Sequence, residues 1–267
     1  MNKITLYPDK KLHSLGDLWG IFFEDINHAA DGGLYAELVQ NRSFEFSKID
    51  NWKYDSLTAW ERIGNCEIDV KNEYPLNRNN THYLAIKLED SEGGVKNLGF
   101  NNGMNIIKGE KYKFSFYGRR DTGFKEDVNI FLVNKDTTAV IASESVKIIG
   151  CDWEKYEGVL WAKESATCHL CVTTSGKSVV YLDEISLFPP TYKNRDNGLR
   201  RDIAELLCEL KPKFMRFPGG CLVHDGNLDP HARNALYRWK NTIGDVAERP
   251  SRRSNWGYNQ TLGLGYY

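Results

Sequence analysis

Two carboxylates, Glu24 and Asp25, close the apolar run Leu18-Trp19-Gly20-Ile21-Phe22-Phe23. A run without polar alternation fits a parallel strand buried on both faces. Charged residues just past such a strand stand where α/β sheets place their sites. A carboxylate there can hold ligand hydroxyls, act as a general acid, or cap the next turn. Arg216 lies among Phe214, Met215 and Phe217. If that strand is buried, its guanidinium needs an anionic partner. The partner is either one half of a bracing ion pair or a carboxylate clamped in an active site. Cys221 follows the sharp turn Pro218-Gly219-Gly220. Thiol catalysis would need a companion His with Asn or Asp, and no such grouping is visible. The glycines lack the Gly-Lys-Ser/Thr that completes a phosphate loop. His28, His224 and Asp225 show no ligand spacing and read as solvated loop residues. Cys168-His169-Leu170-Cys171 has metal-like spacing, but on a strand positions three apart face opposite ways. Trp239, Trp256, Tyr258, Tyr266 and Tyr267 crowd a stretch rich in Gly and Asn. They either line a concave ligand site or pack beneath its loops.

Three segments must position these residues. Residues 1–49 read as a weak strand, Ile4–Tyr7, a turn at Asp9, the apolar strand, and a helical spacing of Leu34, Tyr35, Leu38 and Val39. Residues 50–190 change character. Alternating stretches cover Tyr112–Phe116, Val128–Val133, Val140–Ile148, Trp153–Trp161, His169–Thr174 and Val179–Phe188. Asn101-Asn102-Gly103, Lys108-Gly109-Glu110 and Ser175-Gly176-Lys177 supply turns between them. Short strands at this spacing predict an antiparallel β-sandwich, closed by Pro189-Pro190. From 191 to 267, Leu199, Ile203, Leu206, Leu207 and Leu210 share a helical face, with Asn197 as N-cap and Pro212 as terminator. Lys213–Phe217 follows as a strand. An all-β unit therefore interrupts an α/β one. Only two parallel strands are found where a barrel needs eight, so the sequence reads as a fragment.

The 267 residues carry 35 basic and 36 acidic side chains, a net charge of −1. That balance gives no reason to expect nucleic acid or an anionic membrane as partner. No apolar run approaches the ~20 residues that span a bilayer. Nothing around Leu18–Phe23 resembles a signal peptide, which favours the cytoplasm, or an extracellular location if the N-terminus has been trimmed. Six cysteines are scattered without pairing, as reduced thiols are. Aromatics form 12% of the chain, and Trp52, Trp60, Trp153 and Trp161 in the middle segment could present flat faces to a glycan if exposed.

Long ordered strings carry a resemblance. Gly20-Ile-Phe-Phe-Glu24-Asp-Ile-Asn-His28 and Asp31–Glu45 resemble the opening of the family 51 α-L-arabinofuranosidases. Lys213–Cys221, Tyr237–Gly244, Glu248–Pro250, Asn255–Tyr258 and Gly263–Gly265 resemble that family's next stretches, in order. The middle segment, with Val180–Leu187, is similar to carbohydrate-binding modules of the cenC type, a jelly-roll β-sandwich. The resemblance implies α/β plus all-β architecture: an incomplete (β/α)8 barrel interrupted by that sandwich. Residues 1 to about 15 would join a second sandwich normally completed by the far C-terminus. It implies a retaining hydrolase releasing terminal arabinofuranosyl units from arabinoxylan, arabinan or their oligosaccharides, with two catalytic glutamates. Both would lie outside these residues, so no catalytic residue is expected here and this chain alone is expected to be inactive. Glu24 matches a position that holds sugar hydroxyls. Arg216 matches the arginine that keeps the nucleophile ionised. Cys221 matches a sugar-contacting position that is Asn in other members, and Trp256 falls near the leaving-group side. His224-Asp225-Gly226 departs from the family's Glu-Gly, which leaves leaving-group preference open. No cofactor is implied beyond a structural calcium in the sandwich. Homo-oligomerisation of a longer form is left open. The alternative is a non-catalytic carbohydrate-binding protein, or a sandwich that only braces the barrel.

Overall fold

Alternation in the middle segment translates directly into strands. In the computed structural model, Lys111–Arg120 buries Tyr112, Phe114 and Phe116 and turns Lys111 and Lys113 outward. A strand has a side-chain period of two, so one face joins the core and the other meets solvent. The structure describes residues 3–14, 16–196, 198–224, 226–232, 234–253 and 259–260. Strand β1 is Ile21–Phe22. The sandwich strands are β2 (Trp60–Gly64), β3 (Glu67–Lys71), β4 (Tyr83–Asn97), β5 (Met104–Ile106), β6 (Lys111–Arg120), β7 (Asp127–Asn134), β8 (Val140–Lys147), β9 (Glu154–Trp161) and β10 (Ala166–Phe188). Then come helix α1 (Arg201–Glu209), β11 (Met215–Arg216), a short helix α2 (Cys221–His224), β12 (Arg252–Arg253) and β13 (Asn259–Gln260).

Two long strands organise the sandwich. The first part of β10 pairs with β5 and β7, and β7 with β8, while the later part pairs with β6, and β6 with β9. β4 runs antiparallel beside β10 throughout and carries β2 at one end and β3 at the other. Both strands break register at the same place, with Asp90 at φ 54° opposite a shift between Gly176 and Lys177. Each strand thus serves two antiparallel groups whose apolar faces share one core, including Leu84, Ile86, Phe116, Ile130, Leu132, Cys168, Leu170 and Leu182.

The expected strands in the sandwich form, with one correction. Ser175-Gly176-Lys177 is not a turn between two strands but a continuous part of β10, paired residue by residue with β4, whose extra residue Asp90 bulges opposite it. Trp60 is buried, Trp153 half-buried, and Trp52 and Trp161 are exposed.

The flanking segments depart further from expectation. Ile4–Tyr7 forms no strand, and Ile4, Leu6 and Tyr7 are all exposed. The turn at Asp9 does form, closed by Lys10 N–H on the Tyr7 carbonyl. Leu34–Val39 is not helical. Its Leu34, Tyr35 and Val39 are buried because the segment lies along the sandwich, where Leu38 N–H donates to the Leu187 carbonyl and Arg200 N–H to that of Leu34. Tertiary pairing overrides the local period there. Helix α1 starts with Arg200 at the cap position, not Asn197, and no side chain caps it. Asn197 itself lies outside the described residues. Ala204 is the helix's buried residue, while Leu206 and Leu210 face outward.

β1 and β11 run parallel, with Ile21 beside Met215 and Phe22 beside Arg216. Hydrogen bonds from Lys213 N–H to Trp19, Ile21 N–H to Phe214, Phe23 N–H to Arg216 and Asp25 N–H to Pro218 extend the ladder at both ends. The expectation of strands buried on both faces is corrected: Phe22, Phe214, Met215 and Arg216 are exposed. Two strands alone leave both faces and both outer edges largely uncovered.

Core position predicts stability. Leu182→Ala, at a fully buried site of β10, should cost about 2–5 kcal/mol by urea denaturation. Val140→Ala, on an exposed site, should change stability by no more than about 0.5 kcal/mol.

Candidate functional site

Parallel pairing of β1 with β11 carries Glu24 and Arg216 to the same tight turn. Just beyond β11, Pro218-Gly219-Gly220 crosses in front of β1, and Asp25 N–H reaches the Pro218 carbonyl at 3.0 Å. Gly219 adopts φ 124°, and a Cβ placed there would come within 2.6 Å of Glu24 Cγ. Glycine is therefore required both by backbone and by space. A Cβ at Gly220 would stand 3.1 Å from Arg216 Nη2. The two polar side chains thus flank consecutive glycines. Cys221 N–H, the first residue of α2, donates to Glu24 Oε1 at 3.3 Å. Phe23 and Phe217 stack at 5.4 Å between ring centroids, which keeps the two chains in register past the strands.

Glu24 and Cys221 are half-buried and Arg216 is exposed. The expectation that burial forces an anionic partner on Arg216 is thereby corrected. Its guanidinium lies 4.7 Å from the Phe22 ring centroid, and none of the described carboxylates pairs with it within 4.0 Å. Solvent on the open side removes the desolvation cost that a partner would have to offset. The arrangement offers one carboxylate, one backbone N–H and one guanidinium around a single turn. Such a set can grip vicinal hydroxyls and present a positive charge to an incoming carboxylate. Trp256, Tyr258, Tyr266 and Tyr267 lie outside the described residues, as do Asp225, Asn255 and Gly263–Gly265. Trp239 is half-exposed.

Asp25, unlike Glu24, turns inward. It accepts from Ala30 N–H at 3.0 Å. Burial pushes its carboxyl up from 3.8 to about 7, with Asp31 adding repulsion. Glu24 and Asp25 therefore do different work, one facing the turn and the other fixing the loop that follows.

Two further residues escaped notice in the sequence. Glu37 and Arg42 are buried in an otherwise apolar stretch, and both meet β10. Glu37 accepts from Val39 N–H at 2.9 Å, Leu187 N–H at 3.0 Å and Ser186 Oγ at 2.5 Å. Arg42 lies 3.4 Å from Glu37 Oε2 and 3.1 Å from Glu184 Oε2. Burial lifts Glu184 to about 7 while Arg42 opposes the shift. Nothing local marked them: Glu37 and Arg42 are opposite charges five residues apart, and only their partners on β10 account for the burial. Arg119 was also missed. It sits 3.9 Å from the Tyr181 ring centroid and 5.2 Å from those of Tyr83 and Trp153, a stack built by outward positions on three neighbouring strands.

Cys168 is in the core while Cys171 points to the other face, and burial raises their thiols to about 11 and about 12. Among the described residues, no group of three or more His, Cys, Asp or Glu could hold a metal ion. Calcium asks for six to eight oxygen ligands. The described side chains supply no such carboxylate cage, so no role is derived for the ion.

Residues 206–267 match the family model described as the alpha-L-arabinofuranosidase 1 domain. The chain is 41% identical to the extracellular exo-alpha-L-arabinofuranosidase of Streptomyces chartreusis, over 99% of this chain and 32% of that protein. It is 36% identical to alpha-L-arabinofuranosidase 1 of Arabidopsis thaliana, over 94% of this chain and 37% of that one. An arabinose-bound GH51 α-L-arabinofuranosidase structure superposes with a TM-score of 0.82 at 33% identity, covering 92% of this chain and 40% of its own. By sequence and by fold, the chain is similar to an N-terminal portion of family 51 α-L-arabinofuranosidases. It spans about a third of the length of the curated relatives it matches.

Two outcomes follow. Gly219→Ala should displace Glu24 and lower stability; a urea midpoint equal to wild type would show that the turn tolerates the methyl. For Asp25 the folded state holds its proton more tightly than the unfolded state. Its contribution is thus complete below about pH 4 and is lost as pH rises through about 7. The urea midpoint should fall over that window, and less steeply in Asp25→Asn.

Proposed function

We propose that this chain is the N-terminal part of a retaining α-L-arabinofuranosidase that releases terminal arabinofuranosyl units from arabinoxylan, arabinan or their oligosaccharides. The observation that carries the reading is the shared turn: Glu24, Arg216 and Cys221 converge on Gly219-Gly220 through parallel pairing of β1 with β11. The convergence is supported by 41% identity to a named exo-arabinofuranosidase along nearly the whole chain.

In this proposal Glu24 accepts hydroxyl hydrogens of the bound furanose. The Cys221 N–H steadies that carboxylate. Arg216 stands ready for the nucleophilic carboxylate, holding it ionised by direct charge. Both glutamates of the double displacement are assigned to the part of the relatives that this chain does not span. β1 and β11 are then the first two strands of a (β/α)8 barrel, and their exposed apolar residues are its unfinished interior and flank. The domain division at 1–49, 50–190 and 191–267 belongs to the same proposal, with a cenC-type module inserted between the first two strands.

Concerning place, no helix among the described residues is long and apolar enough to cross a membrane. The Streptomyces relative is named extracellular, which weighs against the cytoplasmic expectation drawn from the first residues.

The test uses an aryl α-L-arabinofuranoside. The 267-residue chain should give no turnover, and a longer form spanning the relatives' length should be active. In the longer form, Glu24→Gln should lower kcat/KM by about 10²-fold. Genuine turnover by the short chain would refute the assignment of the catalytic carboxylates, and an unaffected Glu24→Gln would remove Glu24 from the sugar site.

A further inference from the structure

The loop between β3 and β4 carries Asn77, Asn79 and Asn80, and all three reach the chain just ahead of β12. Val246–Glu248 is a single 3-10 turn there, and its N–H groups are used internally. Asp245 caps it by accepting from Ala247 N–H at 3.0 Å, Glu248 N–H donates to the Asp245 carbonyl, and Arg249 N–H to that of Val246. A helical turn closed in this way leaves its last carbonyls without donors of its own. The asparagines supply them. Asn77 Nδ2 donates to the Ala247 carbonyl at 2.7 Å, Asn79 Nδ2 to that of Glu248, and Asn80 Nδ2 to those of Ala247 and Arg249 at 3.1 and 2.8 Å. Ser251 N–H returns a bond to Asn80 Oδ1 at 2.9 Å.

A primary amide donates twice and accepts, and at Asn80 all of these capacities are used. Asn80 is also buried, so the match is sheltered from water. The loop is set before its partner arrives, because Asn77 Oδ1 accepts the N–H groups of Asn79 and Asn80, both at 2.9 Å. The hold then passes on to β1. Arg252 follows Ser251 and is buried, with its guanidinium 5.5 Å from the Tyr237 ring centroid. Its charge acts on Asp25: burial and the neighbouring Asp31 push that carboxyl up, and Arg252 pulls the other way. Asp25 accepts from Ala30 N–H and gives its own N–H to the Pro218 carbonyl. Those two bonds hold the backbone just after Glu24 against the turn that closes over it.

We propose that Asn80, helped by Asn77 and Asn79, is a positioning residue for Glu24, acting through Arg252 and Asp25, and that the sandwich thereby braces the site at Gly219. What Glu24 does there rests on the arabinofuranosidase reading; the clasp rests on its hydrogen bonds.

The experiment has two arms. In the 267-residue chain, amide hydrogen exchange is compared between wild type, Asn80→Asp and Asn79→Ala. Asn80→Asp turns a carboxylate oxygen toward two carbonyls. It should speed exchange at Ser251 and at Ala30 by about tenfold or more, while Ile130 and Leu182 in the sandwich core keep their rates. Asn79→Ala removes one bond from an exposed position and should give a smaller rise at the same amides. An unchanged rate at Ala30 in Asn80→Asp overturns the proposal, as does a rise shared equally by Ile130 and Leu182 in both variants. In the longer form, on the aryl arabinofuranoside, Asn80→Asp and Arg252→Gln should each lower kcat/KM by about tenfold. The double variant should be no worse than the poorer single one, because both act along one path. Losses that multiply overturn the relay, and so does full activity in Asn80→Asp. A wild-type longer form without turnover sinks the arabinofuranosidase reading alone, and exchange at Ala30 still decides the clasp.

Discussion

Arg42, enclosed between Glu37 and Glu184, fixes how the two parts of the molecule meet. One of the three belongs to β10 and the other two to the segment that follows β1. All three are buried, so each depends on the others for compensation. Removing one partner of such a set commonly costs about 3–5 kcal/mol, because an uncompensated charge stays behind. The set also has backbone support. Glu37 accepts Leu187 N–H, and Ile185 N–H donates to the Arg42 carbonyl. The segment is therefore stitched to the sandwich by charge and by backbone at once, and the strand upstream inherits its position.

From that anchor the site follows by short steps. β1 lies on one side of the anchored segment. Its neighbour β11 arrives through α1, which is itself tethered where Arg200 N–H meets the Leu34 carbonyl. Parallel pairing then sets Phe22 beside Arg216, and the turn after β11 closes over Glu24. No side chain in this chain of constraints is chemically exotic. What makes the location special is that two polar heads and a backbone N–H share one glycine turn, whose dihedrals and clearance exclude a side chain at Gly219.

Legibility in the sequence tracked the physics of each element. The sandwich strands were readable because their alternation is enforced by burial on one face and solvent on the other, as in Lys111–Arg120. The pairing partner of a strand is not a local property. Nothing within Ser175-Gly176-Lys177 tells that β4 continues beside it, so a continuous strand looked like a turn. Leu34, Tyr35, Leu38 and Val39 repeat at a helical interval, but Leu34, Tyr35 and Val39 are buried by non-helical pairing against Leu187 and Leu199. Glu24, Arg216 and Cys221 were located by their strings and meet at one turn in space. Burial of Arg216 was inferred from apolar neighbours, and that inference fails for a two-stranded sheet with solvent on its open side. The Arg42 set was invisible because charge in an apolar stretch signals burial only once its partners, 150 residues away in Ser186 and Leu187, are known.

The parallel pair carries a consequence for the order of assembly. Its two strands are separated in sequence by the whole sandwich, so zipping them in an unstructured chain closes a very long loop. The sandwich has its own core and holds Leu38 against Leu187. Once it has formed, the untethered path from β1 to β11 shrinks to roughly 45 residues, and the entropy of closure falls by about 1 kcal/mol. The β-rich unit thus acts as a staple that sets before the turn at Gly219 closes over Glu24. A lesion deep in the sandwich would erase the geometry at Gly219 without touching any residue near it.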